Sequence, residues 1–321
     1  MKRLPVLVTL IALSVFMCVL SGCSKDDTLT NTPQPSAEQL AIQTSLASSD
    51  YALPMEFHND EQYEDPGVTG ESSSYFVTQD GDDTLPWVRF HRMMRLLPRV
   101  EYLVQIPGSE GDGTADVRII NHLLGLFIVD NTDDHIRNPF SRPFASRAVT
   151  NVMARKIEDN WRIEKISPTD VASVNDGGTT IRIAWMKAEG SSHTFPMSTI
   201  LSPDTLLSLH QLPAFAPGDT VRVQARAFNA NEDGCWFFLH IHNRYAASVF
   251  HMRIPFVRDE FDPTLYRAAW VVPGGIELPR VFYMAVDGIN WNTLFGDGTA
   301  VYNSRMWCVP CLIGYPQLVK E

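Results

Sequence analysis

Residues 220–227 read Thr-Val-Arg-Val-Gln-Ala-Arg-Ala, an unbroken alternation of apolar and polar side chains. A strand points successive side chains to opposite faces, so this period puts Val221, Val223, Ala225 and Ala227 on one buried face. Thr180–Trp185 alternates too, and further strand-like runs lie at 235–242, 251–257, 266–272, 281–286 and 304–312, separated by turn signals such as Pro217-Gly218-Asp219 and Asn231-Glu232-Asp233-Gly234. About seven short strands punctuated by turns predict an all-β sandwich over residues 171–321.

The preceding part of the chain has a different pattern. Ser36 is a helix cap, Glu38 sits in the first turn, and Leu40, Ile42 and Leu46 follow. Residues 50–83 read as an acidic loop. Its Asp80-Gly81-Asp82-Asp83 cluster offers hard oxygen donors for Ca²⁺ but lacks EF-hand spacing, so a solvated loop is expected. A second helix is predicted from Thr84, with Pro86 in its first turn and Pro98 at its end. Arg89, Arg92, Arg95 and Arg99 recur at spacings of three, three and four, which would align them on one helix face as an anion-binding stripe. Strands are predicted at 100–106, 115–130, 144–158 and 161–166, with Gly125 marking a bend and Asp159-Asn160 a tight turn. Helices followed by long antiparallel strands make an α+β pattern for residues 37–170, with a domain boundary near 167–178.

The N-terminus carries a targeting signal. Lys2 and Arg3 precede an apolar run from Leu4 to Leu20, then Leu20-Ser21-Gly22-Cys23. The run is at the lower edge of bilayer-spanning length, and the acidic Lys25-Asp26-Asp27 gives no stop-transfer cluster. Leu-Ser-Gly-Cys resembles the bacterial lipobox. That resemblance implies cleavage after residue 22, acylation of Cys23, and a lipid anchor in the bacterial cell envelope. Ser24 in place of Asp implies outer-membrane delivery. Residues 23–36, polar with two prolines, form the tether. Losing Lys2 and Arg3 shifts the net charge from −11 to −13, since residues 1–22 contain no acid. An acidic chain of this kind argues against nucleic acid as a partner.

Two weaker resemblances concern the body. The segment order ending in EDNWRIEKISPTDV (158–171) resembles the nuclear-transport-factor-2-like fold, shared with ketosteroid isomerase. It implies helices around a curved antiparallel sheet with a conical pocket; Asp116, Tyr102 and His122 are candidates for proton transfer there by residue type alone. FAPGDTVRVQA (215–225), FDPTLYRAAWVVP (261–273) and VFYMAVD (281–287) resemble immunoglobulin-like domains of bacterial surface proteins. The expected architecture is therefore an α+β cone-like domain followed by an immunoglobulin-like β-sandwich.

Trp307-Cys308-Val309-Pro310-Cys311 matches the spelling of a thioredoxin redox site. Such a site needs a helix N-terminus and a βαβ frame, and neither is predicted around it. A structural role is expected. Cys235, Cys308 and Cys311 leave three arrangements open: a local 308–311 bridge, a long-range bridge from Cys235, or buried thiols. Cys308 and Cys311 fall on opposite faces of an extended strand. His240 and His242 share a strand face, and His251 returns near them, a ligand set for Zn²⁺ or Cu²⁺. Two histidines alternating with Leu239 and Ile241 more simply face solvent or the domain interface, and no metal or other cofactor is expected. Asp287 and Asp297 are weaker Ca²⁺ candidates. The resulting expectation is a membrane-anchored, non-catalytic lipoprotein that binds a protein or glycan; the alternative is an enzyme or small-ligand carrier using the cone.

Overall fold

The computed structural model describes residues 34–49, 51, 86–107, 113–132, 134, 136, 138–192, 197–230, 234–243, 250–274 and 280–314. Cys23 and the Asp80–Asp83 cluster lie outside these residues. In chain order the elements are α1 (Ala37–Ala47), β1 (Arg89–Met94), β2 (Arg99–Gln105), β3 (Thr114–Asp130), β4 (Phe140–Ile157), β5 (Asn160–Ile166), β6 (Thr169–Ser173), β7 (Ile181–Gly190), β8 (Ser198–Ile200) and β9 (Leu207–Ser208). There follow β10 (Ala214–Phe215), β11 (Thr220–Asn229), β12 (Cys235–Asn243), β13 (Phe250–Pro255), β14 (Val257–Arg258), β15 (Leu265–Val271), β16 (Arg280–Asn290), α2 (Trp291–Phe295) and β17 (Ser304–Ile313).

The α+β expectation is overturned: the chain is mostly β, with a curled antiparallel sheet in place of a helix-wrapped cone. The predicted second helix is strand β1. Val88, Phe90 and Arg92 are all buried at alternate positions, and the whole strand pairs with β3, from Arg89 opposite Asp130 to Met94 opposite Gly125. An arginine at an inward position hides this period, because it breaks the apolar pattern that would otherwise announce a strand. Helix α1 forms where its cap and apolar spacing place it, with Ile42 and Leu46 buried in the core.

One sheet runs β1-β3-β4-β6-β17-β16-β12-β13, with β2 beside β3, β5 beside β4 and β9, and β10 beside β17. A second sheet runs β14-β15-β11-β7-β8. Neighbours are antiparallel except β10 and β17. The expected boundary between residues 170 and 171 falls inside β6, which pairs with β4 on one side and β17 on the other. Strands from both predicted halves thus share one hydrogen-bonded sheet, and residues 39–321 make one compact unit.

The two sheets pack face to face as a β-sandwich. Val221, Val223, Ala225 and Ala227 of β11 lie in this layer as their alternation requires, against Phe237, Leu239, Met284, Val286 and Trp307 of the long sheet. The opposite face of the long sheet curls over a second core containing Phe90, Phe127, Phe144, Phe238 and Tyr302. The middle strands β12, β16 and β17 are therefore buried on both faces. Gly125 marks a close approach: a Cβ there would sit 2.2 Å from Met93 O and 2.6 Å from the Phe144 ring.

Candidate functional site

Alternation along β12 sends Phe237, Leu239 and Ile241 into the sandwich layer and Phe238, His240 and His242 into the curled interior. Pairing with β13 then sets His251 opposite His242 and Arg253 opposite His240. On the other side, β16 supplies Asp287, and β1 comes round the curl to supply Arg92. The result is a charged cluster at the centre of an apolar core.

Its geometry is tight. Arg92 Nη2 lies 2.8 Å from Asp287 Oδ2, and its Nε donates to the Tyr302 hydroxyl at 2.8 Å. Asp287 Oδ2 also contacts His240 Nε2 at 3.1 Å, and His240 Nδ1 contacts His251 Nε2 at 3.3 Å. Tyr302 and Ser304 hydroxyls are 2.7 Å apart. A carboxylate only accepts, so the neutral His240 carries its proton on Nε2, and its Nδ1 accepts from His251 Nε2–H. The Arg92 guanidinium also lies 5.8 Å from the ring centres of both Phe127 and Tyr302. Arg253 closes the sheet edges: its Nη1 donates to Phe90 O at 2.7 Å, and its guanidinium sits 3.9 Å over the Phe90 ring.

Arg92, His240 and Asp287 are all 0% exposed. Burial pushes the Asp287 carboxyl up, but the Arg92 charge and the His240 hydrogen bond outweigh it and hold the group below the usual carboxylate range. Burial drives His240 down, partly opposed by Asp287. His251 is lowered by burial and then by the neighbouring His240 and Arg253. Tyr302 is raised by burial. The arrangement holds one anion against a buried guanidinium, with imidazoles kept neutral beside it.

The arginine stripe does not form. Arg89 and Arg92 point to opposite faces of β1 and Arg89 stacks near Trp87, with 5.5 Å to the ring centre, while Arg95 is exposed in the turn after it and Arg99 is exposed at the start of β2. The three histidines do converge, with ring centres 5.5 Å apart for His240–His251 and 6.3 Å for His242–His251. They face the interior and not solvent. Among the described residues, no group of three or more His, Cys, Asp or Glu is arranged to hold a metal ion. Asp287 belongs to the buried cluster, whereas Asp297 is exposed and accepts from Thr299 N. Tyr102 is half-buried on edge strand β2, Asp116 is exposed, and His122 lies 3.3 Å from Glu101 on the outer face.

Cys308 and Cys311 lie on opposite faces of β17, Cys308 in the curled core and Cys311 in the sandwich layer. Cys235 and Cys311 are thiols. Burial pushes Cys235 up to about 11 and raises Cys311 as well, the reverse of what a redox nucleophile requires. Sequence reasoning did not pick out Arg92 with Asp287 as a pair, nor Tyr302, Ser304 or Arg253. One signal was available: Asp287 interrupts the apolar run from Val281 to Ile289, and a carboxylate inside such a run needs a buried partner. No protein-family model, curated protein or solved structure matches this chain.

Proposed function

We propose that this chain is a bacterial envelope lipoprotein, anchored through acylated Cys23, whose β-body is a non-catalytic binding or interaction module for a protein or glycan. The observation that supports the body's role is the filling of the curled interior. Phe90, Phe127, Phe144, Phe238 and Tyr302 pack there, and the ionisable groups among them are spent on one another. Such a cluster can order a core and fix which strands meet. The anchor rests on the Leu-Ser-Gly-Cys motif after its apolar run.

A second reading, a small-ligand carrier or enzyme, draws on the same cluster, since buried groups with displaced pKa values also mark reactive sites. Three measurements test the anchor and separate the readings. Palmitate labelling should be lost in Cys23→Ala; equal label in both proteins would sink the anchor. Crosslinking in intact envelopes should yield a stoichiometric protein or glycan adduct. A small molecule retained by the purified protein in native mass spectrometry, and lost in His240→Phe, would favour the carrier instead.

A further inference from the structure

The turn joining β1 to β2 reads Arg95-Leu96-Leu97-Pro98-Arg99. Leu97 is 95% exposed and Leu96 61%. The Arg95 N–H donates to Leu124 O at 3.0 Å, which sets the turn beside a third exposed leucine. Single exposed leucines are ordinary, but an adjacent pair at a tip, continued by a neighbour, marks a contact surface. The charge around it runs against the chain as a whole. Register aligns Arg99 with His122, and His122 with Arg147, across β2, β3 and β4. Glu101 is the acid among them, 3.1 Å from Arg99 and 3.3 Å from His122.

We propose that this tip is an interfacial membrane contact, in which Leu96 and Leu97 enter the headgroup–acyl boundary of a bilayer while Arg95 and Arg99 donate to lipid phosphate oxygens. Leucine side chains gain by leaving water for an apolar medium, and flanking guanidiniums match phosphate at the depth where the leucines stop. Pro98 restricts the turn, so little ordering entropy is lost on docking. The net charge of −11 opposes long-range attraction to anionic lipid. Screening confines that field to about 8–10 Å, so the contact is made at close range by this local basic patch.

The inference does not depend on acylation, and its test removes Cys23. The full-length chain carrying Cys18→Ser and Cys23→Ala is labelled with a nitrobenzoxadiazole probe at Leu97→Cys, the same chain without Leu97→Cys giving the background. It is mixed with vesicles of phosphatidylethanolamine and phosphatidylglycerol. Because the apolar leader brings every variant to the vesicle, the readout is the probe's surroundings and not the bound fraction. The probe at 97 should shift to the blue and be quenched by lipid-borne nitroxide. A probe at Phe261→Cys, an equally exposed site on another turn, should do neither. Arg95→Glu with Arg99→Glu should abolish the shift at 97 while circular dichroism stays unchanged. No shift at 97, or equal shifts at 97 and 261, overturns the proposal, as would capture of the tip by a protein partner with no lipid response.

Discussion

Arg92 and Asp287 lie 195 positions apart in sequence and form a salt bridge of 2.8 Å with both side chains wholly buried. The bridge crosses the interior of the curled sheet and ties strand β1, at one edge, to the inner strand β16. Its energetic meaning follows from burial: desolvating two charges offsets most of their attraction, but losing one partner strands the other.

Asp287→Asn should therefore destabilise the protein by about 3–5 kcal/mol, because the Arg92 charge loses its counter-charge. Arg92→Met with Asp287→Leu should recover most of that loss. Urea denaturation of Arg92→Met, Asp287→Leu and the double gives the coupling energy. A single-variant cost under about 1 kcal/mol would show that the bridge is not the interior's organising contact.

Acid should weaken the fold in a defined window. His240 and His251 are both driven below their ordinary values by burial. At pH values above ~6.5 the folded and unfolded histidines are alike neutral. Below it the unfolded chain takes up protons that the folded interior refuses, so stability falls by up to about 1.4 kcal/mol per pH unit for each histidine. Asp287, held low, adds a further loss as pH falls below ~4. Denaturation midpoints measured from pH 7.5 down to 5 should slope accordingly, and His240→Gln should reduce the slope. A flat profile would refute the assignment of neutral imidazoles.

A chain nicked in the turn after β6 should stay whole. That turn holds Gly177 and Gly178 at φ of 89° and 62° and is open to protease. The strand before it is hydrogen-bonded between β4 and β17, so the two fragments stay joined edge to edge in one sheet. Size-exclusion chromatography of the nicked protein should give one peak until denaturant is added. Two peaks under native conditions would favour the two-domain organisation expected from the linker-like sequence.

Cys235 and Cys311 should resist alkylation. At pH 8 both thiols are protonated and buried or nearly so, and iodoacetamide should modify them quickly only in guanidinium chloride. Insulin-reducing activity lost on replacing Cys308 and Cys311 by Ser would overturn the structural role of this segment.

The sequence made β11 legible because each of its alternate residues obeys one rule, apolar in and polar out. Strand β1 was illegible for the opposite reason. Arg92 occupies an inward position, and spacings of three, three and four between arginines imitate a helix face. Only a partner 195 positions away makes a buried arginine sensible, and no local pattern carries that information. His240 and His242 were expected to face solvent or a domain interface, on the assumption that β12 has one polar face. The continuous Trp236-Phe237-Phe238-Leu239 was a sign that it has none, as is common for strands covered on both sides. The pairing of β6 with β17 was likewise beyond reach, since 131 residues separate Ser173 from Ser304.

That pairing also sets an order in time. β17 lies between β6 and β16, so the half of the long sheet holding β1, β3 and β4 is strand-paired to the half holding β12 and β13 through residues 304–313. A nascent chain emerging from its amino end must hold β1 to β6 with an open flank until that segment arrives. Contacts this distant close slowly. A slow, late closure leaves the amino-terminal half of the long sheet with a free strand edge for as long as that segment is missing.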